Sequence, residues 1–172
     1  NSFFSLSLNS TGTLYAATNG VQNPSTNKAY DTSVETVPLQ SWTHVAATVT
    51  KEGSRNTVAL YLNGVRTTAS GGSGNRRSTC SAADLGNGFK LLHNTSGSQA
   101  SLAGYIDNLK VWTEALDEAS IARSMLTTNN LDLDGQSIGA IRVYYDFDDT
   151  PVETTQDGVT APAYLAQNGS WA

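Results

Sequence analysis

Apolar and polar residues alternate along two neighbouring segments, 45–50 and 58–62, as they do in β-strands with one buried face. The residues on the apolar side of the two segments are Val45, Ala47, Val49, Val58, Leu60 and Leu62. Asn63-Gly64 follows the second segment, and both residue types tolerate the positive φ angles of a type I′ turn. The pattern therefore predicts an antiparallel meander, with "VRTTAS" returning as a third strand.

Other segments follow the same period of two. "SFFSLSLN" and "TLYAAT" flank Thr11-Gly12 and predict a hairpin, whereas 89–94 and 101–112 predict a short strand and a long strand. A helix is predicted at 117–126, with Asp117 as its cap. The predicted apolar stripe of this helix consists of Ile121, Met125 and Leu126. Many strands and one short helix predict an all-β fold, an antiparallel β-sandwich.

The composition supports an all-β fold and indicates where the protein is located and which partners to expect. Of 172 residues, 38% are hydrophobic and 15% are charged, and the net charge is −5. This balance is typical of an all-β extracellular domain, and the scarcity of basic residues excludes nucleic acid as an expected partner. The sequence contains no apolar run of about 20 residues, so we expect no membrane insertion. Because the chain lacks an initiator Met, we expect it to be part of a larger protein.

Modification motifs also indicate an extracellular or cell-surface location. Asn9, Asn94 and Asn168 each begin an Asn-x-Ser/Thr sequon, which predicts N-glycosylation. Cys80 is the single cysteine, so it has no partner for an internal disulfide. It is either a buried or loop thiol, or the partner in an intermolecular disulfide.

Three motifs then occur in a characteristic order: "WTHVAATV" at 42–49, "VALYLNGV" at 58–65 and "GYIDNLKVWTEALDEASI" at 104–121. Together they resemble the laminin G-like, concanavalin A-like lectin/glucanase jelly roll of the pentraxin-like superfamily. The resemblance implies a jelly-roll β-sandwich over roughly residues 1 to 127. It does not imply one activity, because lectins, enzymes and adhesion modules share this fold.

The order of the motifs along the chain departs from the family in one respect. The strands that usually open such a module resemble 138–172, at the far end of this sequence. We therefore expect 1–128 to hold the later strands of a module and 129–137 to be a polar junction. The segment 138–172 either completes the edge of the same sandwich or begins the next repeat.

Catalytic chemistry is not expected from these residues. Glucanases of this fold carry alternating acids in a Glu-x-Asp-x-Glu run, and the sequence contains no such run. Asp146 and Asp148 alternate with aromatic residues, as in an ordinary amphipathic strand. His44 and His93 are the only histidines, and neither has a nucleophile motif beside it. We therefore predict that the chain is not an enzyme.

Calcium is the one cofactor that the sequence suggests. Asn130, Asp132 and Asp134 place oxygen side chains at alternate positions before Gly135, as in the first half of a calcium-binding loop. The pattern then fails, because Ile141 stands where the loop needs Glu, and a solvated turn explains the same residues. Asp107 is a further candidate ligand, since strand parity points it inward. A bulge, or hydrogen bonds from backbone N–H groups, is the alternative.

Trp42, Tyr61 and Tyr105 are candidate platforms for a ligand, although each is equally placed to cover a core. These features predict a non-catalytic binding or adhesion module of a larger extracellular protein. Its expected partners are glycans or extracellular proteins. The alternative is a structural repeat of a filament or coat, in which strands of neighbouring copies or modules complete each other.

Overall fold

The computed structural model describes residues 3–19, 28–52, 55–70, 104–127, 135, 137–145, 147, 152–156 and 159–163. The chain divides into two compact units, Asn1–Ala103 and Gly104–Ala172. The described elements are β1 (Phe3–Leu8), β2 (Thr13–Asn19), β3 (Lys28–Thr36), β4 (Val45–Glu52), β5 (Arg55–Leu62), β6 (Val65–Arg66), β7 (Leu109–Trp112), α1 (Glu118–Met125), β8 (Ile141–Tyr145), β9 (Val152–Gln156) and β10 (Val159–Ala163).

The first unit contains an antiparallel sheet in the order β1-β2-β3. The predicted N-terminal hairpin is confirmed, with Leu6 opposite Ala16 and Leu8 opposite Leu14. The pairing of β2 with β3 shifts register between Thr13 and Tyr15. The Ser33 hydroxyl compensates for this irregularity, because it accepts a hydrogen bond from the Leu14 N–H at 2.9 Å and donates one to the Glu35 carbonyl at 2.7 Å.

A second antiparallel sheet of this unit has the order β4-β5-β6. Val45 lies opposite Leu62 and Val49 lies opposite Val58, so the first two strands of the predicted meander and their apolar face are confirmed. The third strand expected at 65–70 is wrong beyond Arg66, because Thr68 and Ser70 are hydrogen bonded to β3 of the first sheet. Asn63 and Gly64 have φ angles of 49° and 79°, which is the turn that the Asn-Gly pair predicts.

Side chains from both sheets form the core of the first unit. The buried cluster consists of Leu14, Ala16, Ala29, Val58 and Leu60. Leu14 and Leu60 are 2% and 0% exposed, and full burial of one such side chain contributes about 1.5–3 kcal/mol to stability. The apolar faces that alternate along the strands therefore meet, as a β-sandwich requires.

The chain passes from one sheet to the other directly after β6. The Thr67 N–H donates to the Leu60 carbonyl of the second sheet at 2.9 Å, whereas the Thr68 carbonyl accepts from the Val34 N–H of the first sheet at 3.0 Å. A bridge between Ser33 and Ala69 continues this pairing. Residues 65–70 are thus hydrogen bonded to both sheets.

In the second unit, β7 pairs antiparallel with β8, across the segment that contains α1. β9 and β10 form an antiparallel hairpin. The predicted helix is confirmed as α1, whose cap Asp117 accepts a hydrogen bond from the Ser120 N–H at 2.7 Å. The Ser120 hydroxyl, followed by this backbone hydrogen bond, lowers the pKa of the Asp117 carboxyl. Among the described residues, no helix is both long enough and apolar enough to cross a bilayer.

Lys110 connects β7 to the last turn of α1. Its ammonium donates to the Ser124 carbonyl at 2.8 Å and to the Thr127 carbonyl. The same ammonium lies 5.8 Å from the centre of the Tyr144 ring. Burial lowers the pKa of Lys110 to about 8. The helix end therefore has a side-chain donor for carbonyls that an α-helix leaves unpaired.

Two local predictions for this unit are wrong. The long strand expected at 101–112 is described as a strand from Leu109 only, because Asn108 has a φ of 52° and interrupts the extended chain. In the helix, Met125 and Leu126 are 38% and 60% exposed, whereas Ser124 is buried. The predicted apolar stripe is thus reduced to Ile121, because small hydroxyl side chains fill the rest of the buried face.

The predicted domain boundaries stay a prediction. The two compact units divide at Ala103 and Gly104, so the expected junction at 129–137 falls within the second unit. If the segment 138–172 completes the edge of a sandwich, its first strand should pair with the strand that ends at Trp112. The pairing of β8 with β7 meets this requirement. The strand expected at 89–94 lies outside the described residues.

Candidate binding surface

Three connections lie at the same end of the first unit. The β1–β2 turn meets the start of the β3–β4 loop, because the Val37 N–H donates to the Gly12 carbonyl at 2.9 Å. The end of that loop meets the β5–β6 turn, since the Asn63 N–H donates to the His44 carbonyl at 2.9 Å. The Asn63 side chain accepts the His44 N–H at 3.0 Å in return. The loop 37–44 is therefore fixed at both ends.

Between these anchors, the loop 37–44 presents large apolar side chains to solvent. Leu39 is 92% exposed and Trp42 is 73% exposed. Gln40 has a φ of 57°, which turns the backbone sharply between them. Val37 packs against the core cluster at the start of the loop. The exposed side chains are thus carried on a loop that the sandwich holds in place.

Two strands that begin next to these connections also carry exposed apolar side chains. Val45 and Val65 both lie opposite Leu62, one on each side of β5, so the three side chains share a face. Val45 is 38% exposed and Val65 is 64% exposed. We call Leu39, Trp42, Val45 and Val65 the rim patch. Several exposed apolar side chains at one end of a sandwich are a feature of sites that bind another molecule.

Charged groups lie beside the rim patch but not within it. Glu35, at the end of β3, accepts the Thr68 N–H with both carboxylate oxygens at 3.1 Å. Hydrogen bonds from its own N–H and from Thr68 lower the pKa of the Glu35 carboxyl. Arg66 follows Val65 and is exposed. The four side chains of the rim patch are thus uncharged, and Glu35 and Arg66 are charged residues close to them in the chain.

Asp31 is an acid that the sequence analysis did not identify. It lies on the core-facing side of β3, directly opposite Ala16, and is 5% exposed. Burial raises the pKa of its carboxyl, while the Thr32 N–H and the charge of Arg66 act in the opposite direction. Alternation along β3 could have identified it, because Ala29 and Ser33 share its parity and are also buried.

The three predicted ligand platforms have different surroundings. Trp42 belongs to the rim patch, whereas Tyr61 is 6% exposed and offers no ring face to a ligand. The platform prediction is therefore wrong for Tyr61, because both faces of the central strand β5 are covered. Tyr105 is 88% exposed and belongs to the second unit. Leu39 and Val65 were not predicted as surface contacts.

The calcium prediction receives no support from Asp107. This residue is exposed, and its carboxylate accepts the Asn108 N–H at 2.8 Å. The inward orientation expected from strand parity is thus wrong, because β7 begins only after Asn108. The described residues contain no group of three or more His, Cys, Asp or Glu side chains that could hold a metal. Asn130, Asp132 and Asp134 lie outside the described residues, so calcium binding there stays a prediction.

Of the remaining predicted residues, one is described by the structure and the others are not. Asn9 is exposed in the β1–β2 turn. Asn94, Asn168 and Cys80 lie outside the described residues, and so do Asp146 and Asp148. Glycosylation and intermolecular disulfide formation at these positions stay predictions.

The chain was compared with protein families, curated proteins and solved structures. A laminin G family model described as "Concanavalin A-like lectin/glucanases superfamily" matches residues 1–122. A crystal structure of residues 221–444 of an S-layer domain-containing protein from Clostridium thermocellum is 24% identical, with a TM-score of 0.37. That match covers 71% of this chain and 55% of the other chain, so this chain spans about half the length of that structure. No curated protein gives a significant match.

Proposed function

This chain belongs to the laminin G-like group of the concanavalin A-like lectin/glucanase superfamily. From this premise we propose that it is a non-catalytic binding module of an extracellular or cell-surface protein. The fold alone does not select a ligand, so the proposal depends on the surface that the fold presents. The observation that carries it is the rim patch.

The chemistry of the rim patch favours a protein partner over a glycan. Trp side chains are enriched among the residues that dominate protein interfaces. Leu39 and Val65 are aliphatic and more than half exposed. A sugar ring can stack on Trp42, but Leu39 and Val65 offer its hydroxyl groups no hydrogen bond, so these two side chains add more to a protein contact than to a glycan contact. Apolar side chains of another protein would bury both.

The anchoring of the loop also favours binding. Val37 and His44 are hydrogen bonded to the neighbouring turns, so the loop backbone is already ordered before a partner arrives. A preordered loop loses less conformational entropy on association than a free one. The rim patch therefore has both the apolar side chains and the fixed backbone that a specific contact needs.

Photo-cross-linking tests this proposal. Benzoylphenylalanine is placed at Trp42 or at Thr50, which is an exposed control position on β4. Each chain is mixed with surface proteins from source cells and irradiated. We expect a discrete adduct from position 42 and none from position 50. Leu39→Ser or Val65→Ser in the same chain should remove that adduct, because both replace apolar contacts with polar groups.

A direct affinity measurement with the identified partner completes the test. Trp42→Ala should weaken binding by about 30-fold, the effect of losing roughly 2 kcal/mol at an interface centre. Identical adducts from positions 42 and 50 would overturn the proposal. Saturable binding of a glycan that Trp42→Ala abolishes would replace the protein partner with a sugar.

A structural repeat is the second candidate function, and one observation favours it. Leu6 and Leu8 lie on the core-facing side of β1 but are 39% and 38% exposed. Among the described strands, β1 pairs with β2 alone. A strand from a neighbouring copy or module would cover these side chains and use the open edge of β1.

A further inference from the structure

The first residue of the β1–β2 turn, Asn9, organises that turn through its side chain. Its Oδ1 atom accepts hydrogen bonds from the Thr11 N–H at 3.0 Å, the Thr11 hydroxyl at 2.6 Å and the Thr13 N–H at 3.1 Å. Its Nδ2 atom donates to the Thr13 hydroxyl. Asn9, Ser10 and Thr11 form a sequon, and all three residues are exposed.

This arrangement leaves room for a substituent on Asn9. The amide nitrogen carries two hydrogens, and the Thr13 hydroxyl takes one of them. A sugar on Nδ2 replaces the other hydrogen, while Oδ1 keeps its three donors. The turn that follows β1 is therefore compatible with a glycan that leaves the fold toward solvent.

The Asn9 turn adjoins the rim patch. The Gly12 carbonyl of this turn accepts the Val37 N–H at 2.9 Å, and Leu39 follows only two residues later, within about 7 Å of extended chain. Leu39 is the most exposed residue of the patch, at 92%. A glycan of several sugar rings that starts at Asn9 would thus extend beside the loop that carries Leu39 and Trp42.

We propose that Asn9 is a site of N-glycosylation and that its glycan limits access to the rim patch. The reaction transfers an oligosaccharide from a polyprenyl-diphosphate-linked donor. A bond forms between the sugar C1 and Nδ2 while the bond between C1 and the phosphate oxygen breaks. The proton that Nδ2 loses balances the charge of the released polyprenyl diphosphate, which carries it or passes it to solvent. The role in limiting access rests on the proposed function, whereas the modification does not.

The experiment uses the full chain, secreted from a host that performs N-glycosylation. Asn94→Gln and Asn168→Gln remove the other two sequons, so that any glycan lies on Asn9. Mass spectrometry of the tryptic peptide measures occupancy at Asn9. Thr11→Ala is the matched control, because it removes the sequon and retains Asn9. We expect occupancy in the parent chain and none in the Thr11→Ala chain.

Hydroxyl-radical footprinting then measures access to the rim patch without any partner. The glycosylated chain is compared with the same chain after an endoglycosidase has trimmed the glycan to one sugar. Because both samples have the same amino-acid sequence, a substitution that disturbs folding cannot cause the difference. We expect the oxidation rates of Leu39 and Trp42 to rise at least twofold on trimming. Free tyrosine added to the solution is the control, and its oxidation rate should be the same before and after trimming.

Each result has a distinct meaning. An unmodified Asn9 in a host that glycosylates a control sequon would overturn the site. A glycan on Asn9 with equal oxidation rates before and after trimming would overturn the control of access. Neither readout uses the cross-linked partner. Failure of the cross-linking test would therefore overturn the proposed function, and with it the biological role of the glycan, but it would leave the glycosylation of Asn9 and the measured shielding of Leu39 and Trp42 unchanged.

Discussion

At the scale of single residues, two polar side chains on the buried face of β3 have opposite effects. Ser33 is 2% exposed, and its hydroxyl both donates and accepts a hydrogen bond where the ladder between β2 and β3 is irregular. Asp31 is almost as buried, yet its carboxyl faces an apolar core. A satisfied hydroxyl stabilises such a site, whereas a buried carboxylate costs free energy.

Replacement of Asp31 by Asn should stabilise the protein. Because burial raises the folded-state pKa of Asp31 above its ordinary value of 3.8, the folded state binds the proton more tightly than the unfolded state. The unfolding free energy therefore falls as the pH rises from 3.8 through the raised pKa. At pH 7 we expect Asp31→Asn to raise Tm, because the neutral amide avoids the desolvation cost of the buried carboxylate.

Thermal unfolding followed by far-UV circular dichroism from pH 3 to 8 measures this effect. Glu35→Gln is the control, because hydrogen bonds lower the pKa of that exposed carboxyl. Its contribution to stability is present at neutral pH and is lost as the pH falls, so its replacement should not stabilise. A lower Tm for Asp31→Asn at pH 7 would show that the carboxylate is stabilised by its surroundings.

At the scale of elements, local signals in the sequence were sufficient where the structure depends on near neighbours. Alternation over 45–50 and 58–62 predicted β4, β5 and their shared face, because burial of a strand repeats every two residues. Asn63-Gly64 predicted the turn between β5 and β6, since its backbone angles suit those residues. Asp117 predicted the start of α1 for a similar local reason.

The same signals failed where distant residues decide the outcome. Asn108 interrupts the strand expected at 101–112, and its side chain accepts the Tyr144 hydroxyl at 3.2 Å, from 36 positions away. In the binding surface, Trp42 was a candidate from its residue type, whereas Leu39 and Val65 were not. The exposure of Leu39 and Val65 depends on how the loop 37–44 and the β5–β6 turn meet. The alternation of apolar and polar residues along the sequence does not predict that contact.

The link between Lys110 and α1 allows a test at this scale. Lys110→Met retains the length of the side chain but removes the donor to the Ser124 and Thr127 carbonyls. We expect a loss of about 1–2 kcal/mol and faster amide hydrogen exchange in the last turn of α1. Exchange in β4 and β5 of the first unit should not change.

Arg142→Met is the matched control, since Arg142 is an exposed cation on β8. It removes one positive charge from the same unit without removing a donor to the helix. Equal exchange rates in α1 for the two variants would show that charge, rather than the two hydrogen bonds, sets the stability of the helix end.

At the scale of the whole molecule, the edge of the first sheet at β1, which pairs with β2 alone among the described strands, distinguishes a binding module from a structural repeat. If copies complete each other's sheets, the full chain should associate with increasing concentration in sedimentation equilibrium. Leu6→Ser with Leu8→Ser should prevent this association, because the two side chains lie on the face that an added strand would cover. Serine weakens apolar contact and adds a hydroxyl that is costly to bury.

Ser5→Ala with Ser7→Ala is the control for that experiment, because these residues lie on the opposite face of the same strand. It should leave association unchanged. A chain that stays monomeric at every accessible concentration would contradict the structural-repeat hypothesis and would leave the rim patch as the basis of function.

The passage of the chain from β6 into the pairing with β3 has a mechanical consequence. Thr67 is bonded to Leu60 in one layer, while Thr68 and Ser70 are bonded to Val34 and Thr32 in the other. A tensile load on either layer is therefore transmitted to the other through peptide bonds and ladder hydrogen bonds, and not through apolar contact alone. If this protein bears force where it works, separation of the two layers requires rupture of those bonds first.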